Sequence, residues 1–132
     1  MRSAIQFSRV ALFIIYFWFG FLKVIGVSPA EVLVEHLYLL TIKLLVDFRI
    51  FFVFFGVLEC VIGLLWLVPK WTKWSLYLMI LHLCLTVLPI VVLPHDTWAD
   101  YFTPTLVGQY IIKNLVLLSS ALVIYKSNTE QA

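Results

Sequence analysis

The sequence predicts an all-α integral membrane protein, a four-transmembrane-helix bundle with an amphipathic interfacial helix between its first and second spans. Three observations predict it. Of the 132 residues, 64% are hydrophobic and only 12% charged, and the mean hydropathy is +1.07; soluble chains carry about a quarter charged residues. Four apolar runs approach or exceed the ~20 residues that cross a ~30 Å hydrocarbon core. These runs are apolar nearly all round and lack the polar face of a soluble bundle helix. The aromatic content of 17%, with five Trp, suits rings placed at membrane interfaces.

The first span covers residues 7–25. Arg2, Arg9, the apolar run and then Ser28-Pro29-Ala30 loosely imitate a signal peptide. The run is long for one and Lys23 precedes the cleavage-like site, so it reads as a span. "SPAE" then reads as a helix start, with Ser28 as N-cap, Pro29 in the first helical position and Glu31 closing a capping box. Over residues 29–47, Glu31 and Glu35 share one angular sector, and His36, Lys43 and Asp47 an adjoining one, among mostly apolar residues. That pattern predicts an amphipathic helix at the outer interface. The second span is residues 50–68, closed by Pro69, and the third residues 74–93, closed by Pro94. The fourth covers residues 105–125, and residues 126–132 read as a frayed tail. No internal repeat divides the chain, so residues 1–132 read as one membrane domain.

Orientation follows from the Lys/Arg bias. With the N-terminus inside, Arg2, Arg9, Lys70, Lys73 and Lys126 lie on the inner side, against Lys43, Arg49 and the end-of-span Lys23 outside. Both termini are therefore expected in the cytoplasm, and the chain in a cytoplasmic (inner) membrane. Trp71 and Trp74 on one side, Trp98 and Tyr101 on the other, are expected as interfacial anchors.

Each span carries a stripe of polar or small residues, as expected if all four stripes meet in the bundle. They are Arg9, Tyr16, Gly20 and Lys23; Phe52, Gly56, Glu59 and Gly63; Ser75, His82, Thr86 and Pro89; and Gln109, Lys113 and Ser120. At 1.5 Å per residue, Glu59, His82 and Lys113 each sit ~12–13 Å from one end of their spans, near the midplane. Glu59 is the only acidic side chain at that depth, so Lys113 is expected as its counter-ion. His82 is expected to join the pair, Gln109 to donate to Glu59, and Tyr16 to line the cluster. Lys23 is expected in the cluster too, though nearer the outer side, where its chain has room to snorkel. Gly20, Gly56 and Gly63 read as helix-packing positions. A buried pair of this kind either binds something or only fixes helix register.

No metal site is expected, because one His and one Glu are too few ligands and Lys is a poor one. Cys60 and Cys84 show no CxxC or ligand spacing and read as inert apolar residues. A net charge of +2 without a basic run points away from nucleic acid.

"YFWFGFLKVIG", "FFGVLECVIGLL" and "VGQYIIKNLVLLSSAL" resemble the DoxX-like superfamily of small four-helix membrane proteins. The likeness is nearest to bacterial inner-membrane proteins of the domain-of-unknown-function 417 type. It is carried by Gly20 with Lys23, by Gly56, Glu59 and Gly63, and by Gly108, Tyr110 and Lys113. The resemblance implies a four-helix membrane fold. It also implies associations with quinol-linked oxidation and redox-stress defence, or with cargo export and receptor assembly in eukaryotic relatives. The chain has no paired cysteines or paired haem histidines, so no electron transfer of its own is expected. The leading expectation is a redox-associated membrane subunit, not an enzyme by itself, that binds a quinone or another apolar small ligand at the polar cluster. The alternative is a non-catalytic assembly protein with a membrane-protein partner or a second copy of itself; a proton-coupled transporter or channel stands third.

Overall fold

The computed structural model describes residues 2–130; Met1 and the last two residues of the expected tail, Gln131 and Ala132, lie outside the described residues. Helix α1 runs over Arg2–Ile25, α2 over Glu31–Thr41 and α3 over Phe48–Trp66. A 3-10 turn, Pro69–Trp71, leads into α4 (Thr72–Val92). The single turn α5 (Pro94–Thr97) and an antiparallel ribbon of β1 (Trp98–Asp100) and β2 (Thr103–Pro104) connect to α6 (Leu106–Thr129). Among the described residues four stretches are long and apolar enough to cross a membrane: Ser3–Ile25, Phe48–Trp66, Pro69–Val92 and Leu106–Thr129. Large apolar side chains face outward along them, with Phe7, Leu115 and Val91 each more than half exposed. Such a surface suits hydrocarbon better than water.

The helix ends follow local chemistry. Gly26, at φ 75°, closes α1: its N–H donates to Lys23 O and that of Val27 to Leu22 O, a Schellman pair that ends the helix just past Lys23. Asp47 caps α3 by accepting from the backbone N–H of Arg49 and Ile50. Thr105 caps α6 by accepting from Gly108 N.

Two expectations about the ends are corrected. Ser28 does not cap α2, which starts at Glu31 with Ala30 as N-cap; the Ser28 hydroxyl instead accepts from Ala30 N and tightens the turn before the helix. Nor does that helix reach residue 47. It stops at Thr41, because Tyr38 Oη reaches over to donate to Val46 O at 2.6 Å and pins the following turns, which leaves Asp47 free to start α3. The expected frayed tail is also helical through Thr129, held by Asn128 bonding to Arg9.

The bundle has two distinct ends. Arg9 of α1 bonds to Asn128 of α6 and Thr72 of α4, so the first part of α1 and the last turns of α6 lie together beside the α3–α4 connection. At the opposite end, His36 of α2 meets Asp96 of α5 at 3.0 Å. The core between them is built from residues such as Leu12, Ile62, Trp66, Met79, Ala121 and Ile124. Helices α1 and α3 approach most closely because Gly20 and Gly56 face one another. A Cβ on Gly20 would stand 2.5 Å from Gly56 O, and one on Gly56 would stand 2.7 Å from Gly20 O. Glycine is what lets the two backbones touch.

Candidate functional site

That close approach positions the polar centre. Both helices carry their side chains tilted toward their own N-termini. Because α1 and α3 run antiparallel, Lys23 leans into the bundle from one end while Glu59 leans toward it from below. Lys23 Nζ donates to Glu59 Oε2 at 2.6 Å. The other carboxylate oxygen, Oε1, is 2.7 Å from His82 Nε2 on α4. All three residues are 5% exposed. One carboxylate thus ties three helices together, with each oxygen taken by a different partner.

Aromatic rings enclose the triad. Phe55 stacks on His82 with centroids 4.9 Å apart, and the Lys23 ammonium lies 5.9 Å from the centre of the same Phe55 ring. Tyr16 meets His82 edge-on at 5.3 Å. A carboxylate can only accept, so His82 Nε2 donates to it, and the other nitrogen of a neutral ring is then an acceptor. Among the described residues three buried polar atoms find no hydrogen-bond partner, and two belong to this centre: His82 Nδ1 and Tyr16 Oη. An orphaned buried polar atom costs about 1–3 kcal/mol. Two of them at one centre leave unmet hydrogen-bonding capacity there.

Lys23, Glu59, His82 and Tyr16 come together, and Lys113 and Gln109 do not join them. Lys113 is exposed, with its ammonium 5.3 Å from the centre of the Tyr110 ring, and Gln109 is exposed one turn earlier. The expectation that Lys113 neutralises Glu59 is therefore corrected, and so is the expectation that Gln109 donates to it. Lys23, which the sequence also put in the cluster, is the counter-ion instead. The reason is side-chain direction: α6 begins at the end where α1 finishes, so Lys113 leans toward that end and out of the bundle. Helix α6 also turns a different face inward, with Ile111, Ala121 and Ile124 buried. At the level of Lys113 the buried residue is Ile111, which lies about 160° around the helix from it at about 100° per residue.

Gly20, Gly56 and Gly63 all lie on the α1–α3 contact; a Cβ on Gly63 would stand 2.9 Å from Phe17 N. Phe55 was missed by sequence reasoning. It is one of 11 Phe in the chain, and nothing distinguishes it until His82 is seen against its ring. Among the described residues no three His, Cys, Asp or Glu side chains converge as a metal would require. Cys60 is half-buried and Cys84 exposed, both free.

No protein-family model, curated protein or solved structure matches this chain. The likeness to the DoxX-like superfamily rests on the quoted motif residues alone. Two of those motifs, Gly20 with Lys23 and Gly56 with Glu59 and Gly63, meet at the polar centre. The third does not. Gly108 serves a different contact, since a Cβ there would collide with Thr97 O at the α5–α6 corner.

Proposed function

We propose that this chain is a DoxX-like integral protein of a cytoplasmic membrane, redox-associated, that binds the polar head of a quinone or a similar apolar molecule at the Tyr16–His82–Glu59–Lys23 centre. The observation that carries the reading is the pair of orphaned atoms, Tyr16 Oη and His82 Nδ1, beside an otherwise satisfied triad. A quinone head offers what they lack: carbonyl oxygens for a phenol O–H to donate to and, when reduced, hydroxyls to donate to an imidazole nitrogen. Such a ligand supplies two-electron redox chemistry when bound. The chain's own part is to orient the head group, exclude water with Phe55 and Phe52, and hold a proton at His82 Nε2 against Glu59. Both termini are assigned to the cytoplasm, on the Lys/Arg bias and on the shared end of the bundle where α1 begins and α6 finishes.

Mass spectrometry of organic extracts from gently purified protein tests this. Wild type is expected to carry a stoichiometric quinone or related lipid that Tyr16→Phe and His82→Phe lose while remaining folded. An empty wild type overturns the reading. A second reading, an assembly protein, is favoured by Leu44 and Leu45, which stand 91% and 79% exposed beside α2 where a partner helix could cover them. Under it the extracts are empty and a membrane protein co-purifies instead, lost on Leu44→Asp.

A further inference from the structure

The opposite end of the bundle carries a further buried charge, and among the described residues no counter-ion reaches it. Arg9 is 7% exposed. One Nη1–H donates to Trp66 O at 3.0 Å, and Nη2 donates to Thr72 Oγ1 at 2.8 Å and Asn128 Oδ1 at 3.0 Å. All three acceptors are neutral. The ion pairs among the described residues join Lys23 and His82 to Glu59, His36 to Asp96, and Lys126 to Glu130, and none reaches Arg9. A guanidinium has five N–H donors in a fixed fork. Three of the five are directed at Trp66, Thr72 and Asn128. Burying a charge without an opposite one is costly, and an anion repays it best with charge-assisted, forked hydrogen bonds.

Arg9 lines a cavity of about 470 Å³ together with Gln6, Ser127 and Asn128, and with Ile5 and Leu67 on its apolar side. The charges around this end favour an anion. Lys70, Lys73 and Lys126 lie here, with Glu130 the one acidic residue among the described residues of this end. Glu31, Glu35, Asp47, Asp96 and Asp100 all lie at the other end. We propose that the Arg9 cavity is a binding site for a phosphate group, held by the Arg9 guanidinium with Gln6 and Asn128 beside it. The size of the cavity exceeds a bare phosphate, and its mixed polar and apolar lining suits a phosphate ester. The site is independent of whatever the Glu59 centre binds.

The test is thermal unfolding of the full-length protein in neutral detergent. The probes are dioctanoyl phosphatidic acid, dioctanoylglycerol as the phosphate-free control, and inorganic phosphate at matched ionic strength. Phosphatidic acid is expected to raise the Tm saturably, by about 5 °C well above its Kd, while dioctanoylglycerol does not. Gln6→Trp fills the cavity mouth from an exposed position and leaves the three Arg9 bonds intact, so it is expected to fold and to lose the shift. Arg9→Gln is expected to lose it too. A shift with phosphatidic acid alone assigns the site to a lipid headgroup, and an equal shift with inorganic phosphate assigns it to the free anion. Equal responses to phosphatidic acid and dioctanoylglycerol overturn the proposal, as does a Gln6→Trp protein that responds like wild type.

Discussion

Lys23 and Glu59 face each other across the tightest helix contact in the molecule, 2.6 Å apart at 6% side-chain exposure each, because Gly20 and Gly56 let their backbones touch. The geometry of the polar centre follows from that contact. Without the glycines the helices would stand further apart and the ammonium would not reach the carboxylate.

Removing one partner strands the other as a buried charge. Lys23→Met or Glu59→Leu alone is expected to cost about 3–5 kcal/mol, and the double variant less than the sum, with a strongly favourable coupling. Lys113→Met, on the exposed face of α6, is expected to stay within about 0.5 kcal/mol of wild type. Equilibrium unfolding in mixed micelles, run as a double-mutant cycle, checks all four proteins. A Lys113→Met protein as unstable as Lys23→Met would return Lys113 to the polar centre.

A methyl group at the α1–α3 contact is expected to be costly. Gly56→Ala places a Cβ 2.8 Å from Lys23 Cβ as well as against Gly20 O, neither of which can yield without parting the helices. About 1–3 kcal/mol of destabilisation is expected. The same exchange at Gly108 should be at least as damaging at the other corner. The measured quantity is again the unfolding free energy, and a neutral Gly56→Ala would mean the helices are not in contact there.

Tyr16→Phe separates stability from function. It removes an unpartnered buried hydroxyl, so the ligand-free protein is expected to gain about 1 kcal/mol. A loss of stability on this change would show that the hydroxyl has a partner within the protein. A gain would mark Tyr16 as held for a purpose other than folding.

Most of the fold and about half of the candidate site were legible in the sequence. The four spans are simple consequences of length and apolarity, and three of the four polar stripes do face inward: Arg9, Tyr16, Gly20 and Lys23; Phe52, Gly56, Glu59 and Gly63; and, on α4, Ser75, His82 and Pro89 with Thr86 half-buried. The fourth failed for a physical reason. When a helix is apolar nearly all round, its polar residues need not mark the inward positions, and in α6 the buried positions are Gly108, Ile111, Ala121 and Ile124. The depth argument failed at the lysines because it counted Cα positions. A lysine side chain reaches about 6 Å, and on a helix it reaches toward the N-terminus. That direction alone takes Lys23 inward to Glu59 and sends Lys113 toward Tyr110.

The central claim is that the centre formed by Tyr16, His82, Glu59 and Lys23 receives the polar head of an apolar ligand. Isothermal titration of the purified, delipidated protein with a short-tailed quinone tests it most directly. The account predicts one saturable site, weakened by about 3–10-fold in Tyr16→Phe, the worth of one hydrogen bond, and unchanged in Lys113→Met. Absence of saturable binding to wild type, or equal affinity in Tyr16→Phe, would contradict it and leave the Lys23–Glu59–His82 triad as a device that only locks three helices in register.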